Sequence, residues 1–125
     1  MPAVVRTLPA LLWMAAIFAM SAQRVVPQAP GFSVEVTAVA GHLVCYGILA
    51  LLLLWALPAG VVRPRYRVVL AVLLATLYGA SDEFHQSFVP GRSATAFDVI
   101  VDAVGAILAV MLYAAWRARL PSRSR

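Results

Sequence analysis

Apolar residues fall along this chain in four long blocks, at positions 8–22, 36–57, 68–88 and 96–116. Each block approaches the roughly 20 apolar residues that a helix needs to cross a hydrocarbon layer about 30 Å thick. The breaks hold Pro27, Pro30 and Gly31, then Pro58, Gly60 and Pro64, then Pro90 and Gly91, residues that interrupt helices. The pattern predicts an all-α fold, a bundle of four transmembrane helices forming one domain over residues 1–125, without internal repeats.

The third block departs from the others, because it is uninterrupted only over positions 68–80. At 1.5 Å per residue that stretch covers about 20 Å, too little for the hydrocarbon layer. The segment Ser81-Asp82-Glu83-Phe84-His85-Gln86 therefore begins near or inside one leaflet. If the helix continues, Asp82, His85 and Gln86 share a face at i, i+3 and i+4, while Glu83 points elsewhere or caps a kink. On the same helix Ala71, Ala75 and Gly79 form a stripe of small residues that reads as helix packing.

Composition agrees with a lipid solvent: 63% of the 125 residues are hydrophobic and 12% are charged, and a soluble core this short could not bury so much apolar surface. All ten basic residues are arginine and the net charge is +5. They flank the apolar blocks instead of forming one patch, which argues for a membrane orientation signal and against a nucleic-acid partner. Arg6, the group Arg63, Arg65 and Arg67, and the tail Arg117, Arg119, Arg123 and Arg125 mark alternate helix ends, and only Arg24 and Arg92 fall in the other two loops. Both termini and the middle loop are thus expected in the cytoplasm, with loops one and three outside. Reading the first block as a cleaved signal peptide, from Arg6 before it and small residues near Ser21 and Ala22, is disfavoured by the context after that block. The single Cys45 permits no internal disulfide and no cysteine metal cluster, and reads as a small buried hydrophobe.

All five acids, Glu35, Asp82, Glu83, Asp98 and Asp102, then fall at or near outer helix ends. The fourth helix starts with Thr95 as an N-cap and carries Asp98 and Asp102 on one face, continued by Gly105, Ala106 and Ala109. Asp98 suits the helix amino terminus. Asp102 lies over a turn deeper, where an unpaired carboxylate is costly and ionisable groups usually face a polar cavity. The second helix brings His42 and Tyr46 on one face to the same level, and Ser21, Gln23 and Arg24 end the first helix there. The candidate catalytic residues are His42, Asp82, Glu83, His85, Asp98 and Asp102; the candidate substrate-binding residues are Ser21, Arg24, Tyr46, Gln86 and Arg92. Arg92, in a Pro-Gly turn, either pairs with Asp82 or Asp98 or holds an anionic headgroup through its forked donors, and the two roles can coexist. A divalent cation of the magnesium, calcium or manganese kind is a cofactor candidate at Asp82, Asp98 and Asp102, whereas the spacing matches no zinc signature.

The run from Tyr78 to Arg92, YGASDEFHQSFVPGR, followed by Asp98 and Asp102, resembles VanZ-like integral membrane proteins. Phe18-Ala19-Met20-Ser21-Ala22-Gln23 is similar to that family's first-helix ending, and His42 with Tyr46 to its second-helix motif. The resemblance spans about residues 10–112. Relatives often place a lysine shortly before the histidine, where this chain has Thr37-Ala38-Val39-Ala40-Gly41. The resemblance implies a multi-pass protein of the bacterial cell membrane acting at the outer envelope, linked to resistance to the glycopeptide teicoplanin. It also implies kinship with four-helix membrane proteins proposed to exchange or cleave lipid headgroups.

Two functions compete. One is a transferase or hydrolase acting on the headgroup of a phospholipid or polyprenyl-linked envelope precursor at the outer leaflet, with His85 or Asp82 as general base and Arg92 on the phosphate. The other is a non-catalytic membrane factor that binds an envelope lipid or antibiotic and limits drug access, its polar cluster serving recognition or helix register. A proton or ion pathway is disfavoured because no polar stripe crosses to the other face.

Overall fold

The computed structural model describes residues 3–24 and 28–120. Four helices follow one another: α1, Ala3–Ser21; α2, Val34–Ala56; α3, Pro64–Gln86; and α4, Ala96–Arg119. All four are long and apolar enough to cross a membrane, and no strand occurs among the described residues. Pro27 in the first loop and Arg123 and Arg125 in the tail lie outside the described residues.

The helices exceed the apolar blocks at their polar ends. α1 begins before Leu8 and carries Pro9 inside it. α3 begins at Pro64, which suits a first helical turn because its missing N–H has no partner there in any case. Arg65, Tyr66 and Arg67 are therefore helical, and α3 spans 23 residues, about 34 Å. The shortness of its apolar stretch reflects where polar residues sit on a full-length helix. α2 is capped by Ser33, whose hydroxyl accepts from the Val36 N–H, and α4 by Thr95, whose hydroxyl accepts from the Asp98 N–H.

The bundle's centre is made by α2, α3 and α4, with α1 laid against α2 and touching α3, and no close approach between α1 and α4. Small residues set the spacing. Ala71, Ala75 and Gly79 are buried on α3, as are Gly105 and Ala106 on α4 and Gly47 on α2. A Cβ at Gly105 would strike the Leu43 backbone, and one at Gly79 would strike the Asp102 carboxylate. The core between these contacts holds Ile17, Tyr46, Leu49, Leu54 and Val110. Large apolar side chains such as Leu12, Leu73, Leu77, Leu108 and Leu112 point outward, as expected where lipid is the neighbour.

At one end of the bundle arginines close off α2. Arg6 donates to the carbonyls of Trp55 at 2.6 Å and Leu57 at 3.2 Å, and Arg67 to that of Leu54 at 2.8 Å. These carbonyls lie at a helix carboxy terminus, where intrahelical partners run out and positive charge is favoured. At mid-height two ring donors fasten α1: Trp13 Nε1 to the Cys45 carbonyl at 2.9 Å, and Tyr78 OH to the Met14 carbonyl at 2.7 Å.

Candidate functional site

The opposite end of the bundle collects the polar residues. α3 presents Asp82, Glu83 and Gln86 inward, at 3%, 6% and 3% exposure. With about 100° between successive helical residues, Glu83 lies about 100° round from Asp82 and Gln86 about 40°, while His85 lies about 60° to the other side. The inward sector therefore takes Glu83 and leaves out His85, the reverse of the i, i+3, i+4 expectation. The register is set by the buried Ala75 and Gly79, the latter against Asp102 of α4, which centre the buried side between Asp82 and Glu83.

Asp82 is the best-satisfied acid. Ser21 Oγ donates to its Oδ1 at 2.6 Å, Gln86 Nε2 to its Oδ2 at 3.0 Å, and Tyr46 OH to the same oxygen at a long 3.4 Å. Three helices thus converge on one carboxylate. Beside it the His42 and Tyr46 rings are stacked with centroids 6.1 Å apart. His42 Nδ1 forms a 2.8 Å hydrogen bond with Asp102 Oδ1, and Asp102 is completely buried. This pair joins α2 to α4 across 60 residues of sequence.

Glu83 and Arg92 complete the layer. Glu83 accepts from Gln86 Nε2 and from the Thr95 N–H, each at 3.3 Å. Arg92 donates through Nε at 3.2 Å and Nη2 at 2.8 Å to Gln86 Oε1. The expected pairing of Arg92 with Asp82 or Asp98 is replaced by this contact, so Gln86 couples the cation to both acids of α3. Asp98 bonds instead to its own cap, accepting from Thr95 Oγ1 at 2.7 Å, which leaves it a helix-end role.

A cavity of about 200 Å³ lies between α1 and α2 with α3 as its floor. Its lining mixes apolar side chains, Ile17, Met20, Ala38 and Cys45, with the polar groups of Ser21, His42, Tyr46, Asp82, Gln86 and Arg92. Thr37, which no motif in the sequence singles out, also borders it. Cys45 is half-buried, packed against the core and also bordering this cavity. His85 does not line the cavity: its ring packs on Phe18 with centroids 4.3 Å apart, and its Nε2 is buried without a partner among the described residues. Arg24 is exposed and also off the cavity wall.

The acids are grouped differently from the expected Asp82, Asp98 and Asp102 cation set. Among the described residues the ligand atoms that come together, within 4.8 Å of one another, belong to His42, Glu83 and Asp102. Asp82 is drawn off by Ser21 and Gln86, and Asp98 by Thr95. Chemically the arrangement offers an oriented imidazole on a half-apolar cavity, a carboxylate beside it and a guanidinium at the rim.

The VanZ/LLP1 family model matches residues 7–117, a range that contains every side chain of this layer. No curated protein and no solved structure matches the chain.

Proposed function

Because the chain belongs to the VanZ/LLP1 family and has four helices able to span a membrane, we propose that it is a multi-pass protein of the bacterial cell membrane. In this reading it acts at the extracytoplasmic leaflet on a lipid headgroup or a lipid-linked envelope precursor, the family link to teicoplanin resistance following from altered envelope lipids. The arginine distribution supports that orientation: Arg6, Arg63, Arg65, Arg67, Arg117 and Arg119 occupy the end opposite the site.

The observation that carries the proposal is the cavity's mixed apolar and polar lining. A lipid offers a polar head joined to an apolar chain, and Ile17, Met20 and Ala38 suit the chain while His42, Gln86 and Arg92 suit the head. Asp102 holds His42 by Nδ1, which fixes the ring and leaves Nε2 as the nitrogen available to take a proton from an attacking hydroxyl or water. His42 thereby takes the general-base role that the sequence pattern assigns to His85 or Asp82. Arg92, fixed by Gln86, places positive charge where phosphate oxygens would gain charge. Asp82, already accepting from Ser21 and Gln86, orients the donors around it.

The test is mass spectrometry of membrane lipid extracts after overexpression. Wild type alters the headgroup profile, and His42→Ala and Asp82→Asn, inserted at normal levels, leave it as in cells without the protein. Indistinguishable profiles for wild type and both variants refute the enzyme reading. The saturation of Asp82 favours a second reading, a non-catalytic factor binding an envelope lipid or antibiotic, in which the network fixes helix register. Drug tolerance that depends on Asp82 without any lipid turnover selects that reading.

A further inference from the structure

We propose that His42, Glu83 and Asp102 form a binding site for one divalent cation of the first transition row, of the Mn2+ or Zn2+ class. This goes beyond the headgroup reading and does not depend on it; with an ion bound His42 serves as a ligand, and the general-base role given to it above belongs to the ion-free chain. The three residues come from α2, α3 and α4, and each offers a ligand atom within 4.8 Å of the other two. Ligands about 2.0–2.2 Å from an ion stand roughly 3–3.5 Å apart, so side-chain adjustments of about 1 Å close the set.

A second observation is independent of that clustering. Asp102 is 0% exposed, and its Oδ2 has no hydrogen-bond partner among the described residues. A buried carboxylate oxygen left without a donor is costly, and in native proteins such an atom marks a missing partner. This oxygen lies against Gly79, where a Cβ would collide with it. Gly79 is one helical turn before Glu83, and helical side chains lean toward the amino terminus, so the Glu83 carboxylate reaches back to the same level. The orphan atom therefore faces the side of the bundle from which the second carboxylate comes.

Charge points the same way. Glu83 and Asp102 bring two carboxylates together with one imidazole, which carries at most a single positive charge. Asp82 adds a third carboxylate, and Arg92, whose bonds to the neutral Gln86 amide leave its charge intact, offsets one of the three. Negative charge thus remains in a layer walled by apolar helices, where uncompensated charge is expensive. A divalent cation balances it. Glu83 is held only by two 3.3 Å contacts, at the weak end of hydrogen bonding, so it can turn to a ligand at little cost. One imidazole nitrogen with two carboxylate oxygens suits manganese or zinc better than calcium or magnesium, which favour all-oxygen shells. Three protein ligands leave coordination positions open, and His42 borders the cavity, so those positions are reachable from it.

The experiment uses the full chain purified in detergent micelles and stripped with a chelator. Mn2+ is titrated with the free ion followed by electron paramagnetic resonance, and Zn2+ by calorimetry. One ion per chain is expected, with Glu83→Gln and Asp102→Asn each weakening binding at least tenfold. Glu35→Gln, an exposed acid at the start of α2, leaves binding unchanged. The midpoint of thermal unfolding rises with Mn2+ in wild type and stays fixed in Asp102→Asn. If Asp102→Asn does not fold, Glu83→Gln alone decides. No saturable uptake of either ion by wild type, or uptake that Glu83→Gln leaves as tight, overturns the site. The headgroup reading fails instead on lipid profiles, so the two failures are told apart.

Discussion

Replacing Gly105 by alanine tests the packing that holds the site together. A Cβ there would meet the backbone of Leu43, with Leu43 Cα at 2.8 Å and its carbonyl carbon at 3.0 Å. Carbon atoms are at ease at about 3.5–4.0 Å, so α2 and α4 must part by roughly 0.5–1 Å, and a backbone cannot swing aside as a side chain can. Leu43 follows His42 directly, and Gly105 lies one turn below Asp102, so the wedge acts on the 2.8 Å His42–Asp102 contact. Overpacking of this kind costs about 1–3 kcal/mol. Gly41→Ala is the reference, because nothing lies within 4 Å of a Cβ at Gly41, and both changes share the helix-propensity gain of about 1 kcal/mol. Reversible unfolding in mixed micelles, followed by helical circular dichroism, should place Gly105→Ala about 1–3 kcal/mol below Gly41→Ala. Equal stabilities would refute the close approach of α2 and α4.

Three further outcomes rest on single contacts. Ser21→Ala removes the 2.6 Å donor to buried Asp82 and should cost about 1–3 kcal/mol in the same unfolding measurement. Tyr78→Phe removes the bond to the Met14 carbonyl; a loss of about 0.5–1.5 kcal/mol with faster proteolysis near α1 is expected, and unchanged stability counts against the anchor. Cys45, half-buried on the cavity wall, should react with a small charged thiol reagent added outside intact cells and be protected by added lysophospholipid. Labelling only after permeabilisation would reverse the proposed orientation.

The spanning architecture was legible because it depends on hydrophobic run length, a property of sequence alone. Helix ends were less so: Pro64 and the arginines after it look like loop, yet a first-turn proline and side chains long enough to reach polar surroundings sit well on a helix. The level of the site could also be read, since His42, Asp82 and Asp102 share one end of the bundle. Their partners could not. The rotation of α3 about its axis depends on which of its faces carries the small residues that admit α4, and the Ala71, Ala75 and Gly79 stripe was that signal. Extending the stripe upward places Glu83 inside and His85 against Phe18. Gln86 as the link from Arg92 to the acids required the fold of the Pro-Gly turn, which local pattern does not specify. No local pattern marks Trp13 and Tyr78 as the donors that fasten α1, because their acceptors, the Cys45 and Met14 carbonyls, are remote in sequence.

The position of α1 separates two jobs. The His42–Asp102 pair and Glu83 belong to α2, α3 and α4, whereas α1 supplies a wall of the cavity and never approaches α4. The exposed side chain of Met20 can therefore change in bulk without passing strain to the imidazole and its carboxylate. Among relatives built on this plan, the size of molecule admitted can diverge through one helix while the reactive groups stay as they are.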